Sequence, residues 1–404
     1  MTRTNIADLA LLGGSPWFSE PLHVGRPNVG DREAFLERVN GILERNWLTN
    51  QGPLVREFER RVAEKLKIKH CIAMCNGTVA LEIAIRALGL TGEVILPSFT
   101  FIATAHALQW QGITPVFCDI DPVTFNIDPG RVESLVTPRT TGLLGVHLYG
   151  RPCDVCALSD IATRRHLRLF FDASHAFGAS HGGKTIGSFG ECEVFSFHAT
   201  KCFNTLEGGA VVTNDDDLAE KVRLMKNFGF SGLDNVIHIG TNGKMNEVSA
   251  AMGLTNLEHL DRFIAANRRN YRCYREGLEG IPGLSLISRD GEENSNYHYV
   301  VAKVEATEFG LNRDLLVALL RAENVMARRY FHPGCHRMEP YRSLYPHAGL
   351  QLAATEALCD RILVLPTGPS VSPEDIVAIC ALIRYAAEHP QRVSAHCSDG
   401  PSPI

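Results

Sequence analysis

The segment VFSFHATKCFNTLEGGAVVTND, residues 194–215, contains a lysine in a setting that is unusual for the protein surface. Lys201 follows an apolar run and precedes a Glu-Gly-Gly turn that leads into a second apolar run. A lysine between two predicted strands is either an ordinary loop residue or a buried amine. Burial lowers the pKa of an amine, so that more of it is free to attack a carbonyl carbon. Lys201 is therefore the first candidate for a catalytic residue.

Asp172 is the second candidate, because it ends the apolar run LRLFF of residues 167–171. In a doubly wound sheet, ligands bind beyond the carboxyl ends of the strands, so a carboxylate at this position faces the ligand crevice. A helix N-cap or an ion pair is the alternative interpretation of Asp172.

Four other residues could hold a phosphate or a flat ring. Gly77 and Thr78 precede apolar residues with helical spacing, and the N-terminus of a helix offers free N–H groups to a phosphate. Ser196, five residues before Lys201, could add a hydroxyl group. Phe101 follows another predicted strand, where it is either a core aromatic or a ring that stacks on a ligand.

An amine, a carboxylate, a phosphate cradle and an aromatic ring are together the groups that pyridoxal 5′-phosphate (PLP) requires. The amine forms a Schiff base with the aldehyde of the cofactor, and the carboxylate keeps the ring nitrogen protonated. The cradle binds the phosphate, and the aromatic side chain stacks on the ring.

Short apolar runs that alternate with helical patterns must position these residues. The runs are EVILPS (93–98), TPVFCDID (114–121), TGLLGVHLYG (141–150), LRLFFDAS (167–174), CEVFSFH (192–198) and GGAVVTND (208–215). Nearly continuous apolar runs of this length are typical of strands that are buried on both faces. The pattern predicts an α/β fold with a mostly parallel, doubly wound sheet.

A stripe of apolar residues from Leu257 to Leu278 predicts a long helix that bridges two domains. Beyond about residue 285 the pattern restarts as a smaller α+β domain, with strands at 297–304 and 362–366 and helices at 313–325 and 373–388. The predicted divisions are an N-terminal arm (1–24), a large PLP-binding domain (25–265), a small C-terminal domain with the bridging helix (266–390) and a frayed tail (391–404).

Composition excludes several classes of protein. The 404 residues, 45% hydrophobic and 21% charged, are typical of a globular chain, and the net charge of −5 provides no basic surface for nucleic acid or an anionic membrane. No window approaches the about 18 apolar residues of a membrane span, and the start of the chain lacks a secretory pattern. The 12 scattered cysteines then indicate reduced thiols, and we expect a cytoplasmic protein.

Three groups of residues allow a metal site as an alternative interpretation. They are Cys153 with Cys156, Cys71 with Cys75, and His332 with Cys335 and His336. A structural zinc site needs a second pair of ligands at a compatible spacing, and neither cysteine pair has one nearby. We therefore expect no metal and interpret all three groups as ordinary core or loop residues.

The segment SFHATKCFNTLEGGAVVTND resembles the lysine motif of the DegT/DnrJ/EryC1/StrS family of nucleotide-sugar aminotransferases. The resemblance extends in the same order from about residue 10 to 390, through NWLTNQGPLVREFE, CNGTVAL, EVILPSFTFIATAHAL, PVFCDIDPVTFNID, HLYGRPCD, FDASHAFGA, GTNGKMNEVSAAMGL and LVLPTGPS. It implies the PLP-dependent transferase fold type I, the fold of aspartate aminotransferase, and a homodimer with active sites at the subunit interface.

The resemblance also implies roles for single residues. Lys201 matches the lysine that attaches the cofactor, Asp172 the partner of the pyridine nitrogen, and His175 a position beside the ring. The remaining matches are Gly77, Thr78 and Ser196 as phosphate binders, Phe101 as the stacking aromatic, and Asn242 as an asparagine that reaches the phosphate from the opposite subunit. After Asn242 the family commonly has an aromatic residue and an arginine, whereas this chain has Gly243 and Lys244.

The implied reaction transfers an amino group from L-glutamate, which leaves as 2-oxoglutarate, to a nucleotide-linked keto sugar. Within the family, SFHATK followed by Glu-Gly-Gly resembles enzymes that act on 4-keto sugars, whereas SFYPGK followed by Asp-Gly-Gly is commoner with 3-keto sugars. Residues 196–198 and 207–209 therefore favour a 4-keto sugar. By analogy with the family, we expect a dTDP-linked hexose or pentose, as used in amino sugars of glycosylated metabolites, including antibiotics.

Four other functions remain as alternatives. A 3-keto nucleotide-sugar aminotransferase is the nearest of them. A sugar 3-dehydratase shares the fold, but those relatives carry histidine in place of the lysine. A non-catalytic regulatory protein would be expected to have a DNA-binding module or a basic face, and a nicotinamide oxidoreductase would need a G-x-G-x-x-G turn between a strand and a helix. We find neither feature.

Overall fold

The structure is a computed structural model that describes residues 9–289 and 294–397. The first part of the predicted N-terminal arm and the end of the predicted tail lie outside these residues. The α-helices, in chain order, are α1 (Arg32–Arg45), α2 (Pro53–Leu66), α3 (Gly77–Ala87), α4 (Ile102–Gln109), α5 (Pro129–Leu135), α6 (Val155–Arg165), α7 (Asp216–Met225), α8 (Glu247–Leu257), α9 (Leu260–Leu278), α10 (Ala306–Phe309), α11 (Arg313–Ala322), α12 (Tyr341–Leu344), α13 (Ala353–Cys359), α14 (Pro373–Glu388) and α15 (Pro390–Cys397).

The strands, in chain order, are β1 (Leu22–His23), β2 (His70–Met74), β3 (Glu93–Pro97), β4 (Thr114–Cys118), β5 (Thr140–Val146), β6 (Arg168–Asp172), β7 (Ser180–His181), β8 (Lys184–Thr185), β9 (Cys192–Ser196), β10 (Gly209–Thr213), β11 (Phe230–Gly232), β12 (Asn235–Val236), β13 (Leu284–Leu286), β14 (Val300–Val304), β15 (Val325–Met326) and β16 (Ile362–Leu365). All six apolar runs between residues 93 and 215 form strands, as the sequence predicts. Strand β2 was not among the predicted runs.

The main sheet has seven strands in the order β2-β10-β9-β6-β5-β3-β4. Strand β10 is antiparallel to both of its neighbours, and every other pair is parallel. Parallel neighbours need crossover connections, and helices such as α4 between β3 and β4 provide them. Helices thus cover both faces of the sheet, and the predicted α/β fold class is confirmed.

The second, smaller sheet contains β13, β14 and β16 in antiparallel order. It packs on α9, α11 and α14 around a core that includes Tyr274, Leu319 and Ile379. Helix α9 connects this core to the core of the large sheet, because its first turn packs Leu260 and Phe263 there and its last turns pack Tyr271, Tyr274 and Leu278 in the small core.

Three details differ from the sequence prediction. The apolar stripe from Leu257 to Leu278 does not lie on one helix, since α8 ends at Leu257 and α9 begins at Leu260. Within residues 9–24, the predicted N-terminal arm packs on the small core, because β1 pairs with β15 and Leu9 lies in that core. The predicted tail is not frayed over its first residues, where α15 buries Val393 in the same core.

Within the described residues, no helix combines the length and the apolar character that crossing a lipid bilayer requires.

Candidate active site

A cavity of about 430 Å³ opens at the carboxyl ends of the central strands of the main sheet. Seven of the eight residues that the sequence predicts as cofactor contacts line this cavity. We call these seven the floor; they are Gly77, Thr78, Phe101, Asp172, His175, Ser196 and Lys201. All seven come from the ends of β6 and β9 or from the starts of α3 and α4, so one edge of one sheet collects them.

Lys201 lies in the turn after β9, where its backbone N–H donates to the carbonyl oxygen of His198 at 2.9 Å. Removal from water lowers the pKa of its amine to about 8, against the attraction of the Asp172 carboxylate, which raises it. Gly25 packs against this turn with φ +75°, and a Cβ atom there would lie 2.7 Å from the carbonyl oxygen of Thr200. A side chain at position 25 would therefore displace the turn that carries the amine.

Asp172 is buried, and hydrogen bonds fix both of its carboxylate oxygens. Oδ1 accepts from the backbone N–H of Ser174 at 3.0 Å, and Oδ2 accepts from the hydroxyl of Thr104 at 2.9 Å. Because Thr104 donates to the carboxylate, its oxygen accepts from the hydroxyl of Thr100 at 3.0 Å. The sequence analysis did not identify Thr104; its place three residues after Phe101 at the start of a predicted helix is the only signal.

The start of α3 forms an anion cradle. The side chain of Asn76 caps the helix by accepting from the N–H of Val79 at 2.8 Å. Among the described residues, no protein group accepts from the N–H groups of Gly77 and Thr78, which are free for a ligand. A Cβ atom on Gly77 would lie 2.8 Å from the Cβ of Ser196, so only glycine lets the serine approach this closely. The cradle fits a phosphate group.

An aromatic wall, from the part of the chain that also forms the small sheet, faces the floor. It consists of Tyr299, Tyr330 and Phe331, all of which line the cavity. The ring of Phe331 is nearly parallel to that of His175, with centroids 5.7 Å apart. His175 Nδ1 accepts from the N–H of Tyr149 at 3.2 Å. Burial and the nearby Lys201 hold the pKa of His175 well below its usual value, so its imidazole is neutral.

Contacts with the end of β3 hold the aromatic wall in place. Ser98 Oγ lies 2.7 Å from His336 Nδ1, and His336 Nε2 lies 2.6 Å from a carboxylate oxygen of Glu356. This is the order of a serine–histidine–carboxylate triad, but Ser98 is fully buried and its oxygen accepts the backbone N–H of His336 at 3.1 Å. The arrangement therefore docks the small domain onto the main sheet and does not supply a nucleophile.

The metal interpretations find no structural support within the described ranges. Within residues 9–289 and 294–397, no group of three or more His, Cys, Asp or Glu side chains could hold a metal ion. Cys153 donates to the carbonyl oxygen of Val146, and Cys335 donates to that of Thr100. The eleven cysteines whose side chains are described are all free thiols.

Asn242 is the one predicted contact that does not line the cavity, and its side chain is exposed. It lies in a segment tied to the end of β2, because the N–H of Cys75 donates to the carbonyl oxygen of Gly243 at 2.8 Å. The amine of Lys244 lies 4.6 Å from the ring centroid of Phe228.

The chain is similar in sequence and structure to known sugar aminotransferases. The chain is 39% identical to a dTDP-4-amino-4,6-dideoxy-D-glucose transaminase of Shigella dysenteriae, over 90% of this chain and 99% of the relative. It is 37% identical to a GDP-perosamine synthase of Caulobacter vibrioides, over 84% of this chain and 92% of the relative. The crystal structure of DesI in the presence of its TDP-sugar product superposes with a TM-score of 0.94 at 48% identity, over 98% of this chain and all of that one.

The model of the DegT/DnrJ/EryC1/StrS aminotransferase family matches residues 30–384. This match confirms the resemblance that the lysine motif and its flanking stretches indicate. The protein therefore belongs to the DegT/DnrJ/EryC1/StrS aminotransferase family.

Proposed function

We propose that this protein is a PLP-dependent aminotransferase that moves an amino group from L-glutamate to a dTDP-linked 4-keto sugar, a hexose or a pentose, in amino-sugar biosynthesis. The observation that carries the proposal is the similarity to DesI, whose structure was determined with a TDP-sugar product. The name of the Shigella dysenteriae relative supports amination at C4.

The floor supplies each contact that PLP needs. Gly77, Thr78 and Ser196 would hold the phosphate, Asp172 the ring nitrogen, and Lys201 the aldehyde carbon. When bound, PLP supplies a carbonyl group that accepts the amino group and a ring that delocalises the electrons released at the substrate carbon.

Two residues of the floor would carry the proton chemistry. Lys201 Nζ has a pKa of about 8, so a substantial fraction of this amine is neutral near neutral pH. The neutral amine can accept a proton from the substrate Cα and then donate it at a neighbouring position. Asp172 would hold the ring nitrogen with its carboxylate, which the hydrogen bonds from Thr104 and Ser174 keep oriented. Neutral His175 adds no charge beside the ring.

The active protein in this proposal is a homodimer, in which Asn242 contributes to the site of the other subunit. A group of exposed apolar side chains near Asn242 supports this arrangement, since single soluble chains rarely expose such a cluster. They are Phe228, Phe230, Leu233, Val236, Ile237 and Ile239, on the hairpin of β11 and β12 and its flanks.

A cytoplasmic location is also part of the proposal. The free thiols support it, because disulfides persist in oxidising compartments and cysteines stay reduced in the cytosol.

A panel of keto sugars tests the proposed function. Purified protein with PLP and L-glutamate is incubated with dTDP-linked 4-keto and 3-keto sugars and with a GDP-linked 4-keto sugar, and release of 2-oxoglutarate is measured together with the mass of the sugar product. We expect amination of a dTDP-4-keto sugar at least about tenfold faster than of the 3-keto or GDP-linked sugars, a difference of about 1.4 kcal/mol. Preference for a 3-keto sugar, or no release with any sugar, would contradict the proposal.

A further inference from the structure

The cavity contains a second cation that the cofactor contacts do not use. Arg328 follows β15, and its backbone is fixed to that of Val364 by two hydrogen bonds, of 3.0 and 2.8 Å. Its side chain lines the cavity, and its guanidinium carbon lies 4.8 Å from the ring centroid of Tyr330. The side chain is thus held against the aromatic wall at the entrance to the site.

No carboxylate of the described residues pairs with Arg328. The two carboxylates that line the cavity have other partners: Asp172 accepts from Thr104 and Ser174, and Glu207 lies 3.4 Å from His198 Nε2. An arginine stacked on an aromatic face has N–H groups at its edge for a planar anion, to which it can donate two parallel hydrogen bonds. Arg328 is therefore available to an anion that enters the cavity.

The next residue shows the opposite arrangement. Arg329 lies 3.0 Å from a carboxylate oxygen of Asp314, which Arg313 also contacts at 2.8 Å, and Arg329 does not line the cavity. Consecutive residues in an extended segment point to opposite sides, so one arginine enters the site and the other joins an ion-pair network on the outside. Arg329 is a matched control for Arg328.

We propose that Arg328 is the anion-binding residue of the substrate site and forms a bidentate ion pair with a carboxylate or diphosphate group. This inference rests on the proposed function, in which both substrates carry such groups: the amino donor a carboxylate and the sugar acceptor a diphosphate. Both substrates occupy the same cavity in turn, so one guanidinium serves either anion. Arg328 contacts substrate and takes no part in attaching PLP.

Binding of two unreactive probes tests the inference. Glutarate carries the two carboxylates of the donor, and dTDP carries the diphosphate of the acceptor. Calorimetric titration of the PLP-loaded protein compares wild type with R328Q, R328K and R329Q. We expect R328Q to weaken at least one probe about 10- to 100-fold, as for the loss of a charged hydrogen-bonding group. R328K keeps the charge without the planar fork and should lie in between, whereas R329Q should bind both probes as wild type does.

The pattern of losses identifies the anion. Weaker glutarate binding alone assigns Arg328 to the donor carboxylate, weaker dTDP binding alone assigns it to the diphosphate, and both losses assign it to both substrates. Equal binding by wild type and R328Q, equal losses in R328Q and R329Q, or a wild type that binds neither probe would overturn the inference. A wild type that binds both probes but aminates no sugar would contradict only the proposed function. Thermal unfolding of each variant checks that its fold is intact.

Discussion

The floor and the aromatic wall face each other across one cavity but are built differently. Each floor residue ends or follows a strand of the main sheet or lies at the start of a helix, so its neighbours in sequence set its position. The wall comes from the small domain and reaches the cavity only because residues near 336 and 356 dock on the end of β3. Neighbours in sequence thus determine where the floor residues lie, whereas contacts between distant segments determine where the wall lies.

The largest effect in this comparison should come from the floor. Replacement K201A removes the amine that we propose attaches the cofactor and moves the proton, and we expect transfer to fall by at least about a thousandfold. Borohydride reduction followed by mass spectrometry should fix PLP to the Lys201 peptide in wild type and to no peptide in the variant. The exposed Lys184 provides the control K184A, which should leave both results unchanged. Wild-type turnover by K201A would refute the assignment of Lys201.

The sequence predicts the floor well because of the geometry of parallel sheets. Asp172 and Lys201 could be placed together without coordinates, since both follow apolar runs that form parallel neighbouring strands, β6 and β9. The same rule does not extend to strand β2, which pairs antiparallel with β10 at the edge of the sheet. The roles proposed for the floor residues remain predictions until the variants are measured.

The wall could not be predicted in this way. Tyr330 and Phe331 lie in a segment without regular structure, and nothing in their neighbourhood indicates that Phe331 meets His175, which is more than 150 positions earlier in the chain. The sequence also does not distinguish Arg328 from Arg329, because only the contacts of Tyr330 and Asp314 show which arginine enters the cavity. The sequence also does not predict the break between α8 and α9, because the apolar stripe continues across it.

An intermediate effect should follow from a change in the wall. Replacement F331L removes the flat ring that stacks on His175 at 5.7 Å, while its volume change is small. We propose that the wall contacts the substrate and not the transferred proton, so we expect KM for the keto sugar to rise about tenfold, with kcat within about threefold of wild type. Steady-state kinetics at saturating L-glutamate measure both constants.

Phe309, which is buried in the small core, provides the control for that change. F309L should lower the melting temperature as much as F331L does, or more, but leave KM unchanged. If F331L lowered kcat by more than tenfold with KM unchanged, the wall would have a direct part in the chemistry and the distinction between wall and floor would not hold.

The smallest effect should come from Thr104, whose hydroxyl donates a hydrogen bond to Asp172. T104V keeps the shape of the side chain but removes the hydroxyl that donates to Asp172 Oδ2 at 2.9 Å. The bond from the Ser174 N–H remains, so the carboxylate keeps one of its two anchors, and we expect kcat to fall about fivefold, or about 1 kcal/mol. Fluorescence titration of the apoenzyme should show weaker PLP binding by a similar factor.

Thr355 allows the structural cost of T104V to be separated from its effect on the site. Thr355 is also fully buried and donates to a carboxylate oxygen of Asp119 at 2.8 Å, but neither residue lines the cavity. T355V therefore loses the same kind of hydrogen bond and should destabilise the fold by a similar amount, with PLP affinity unchanged. If both variants lost PLP affinity equally, Thr104 would act through general stability; a loss in T104V alone means that the floor depends on the orientation of Asp172.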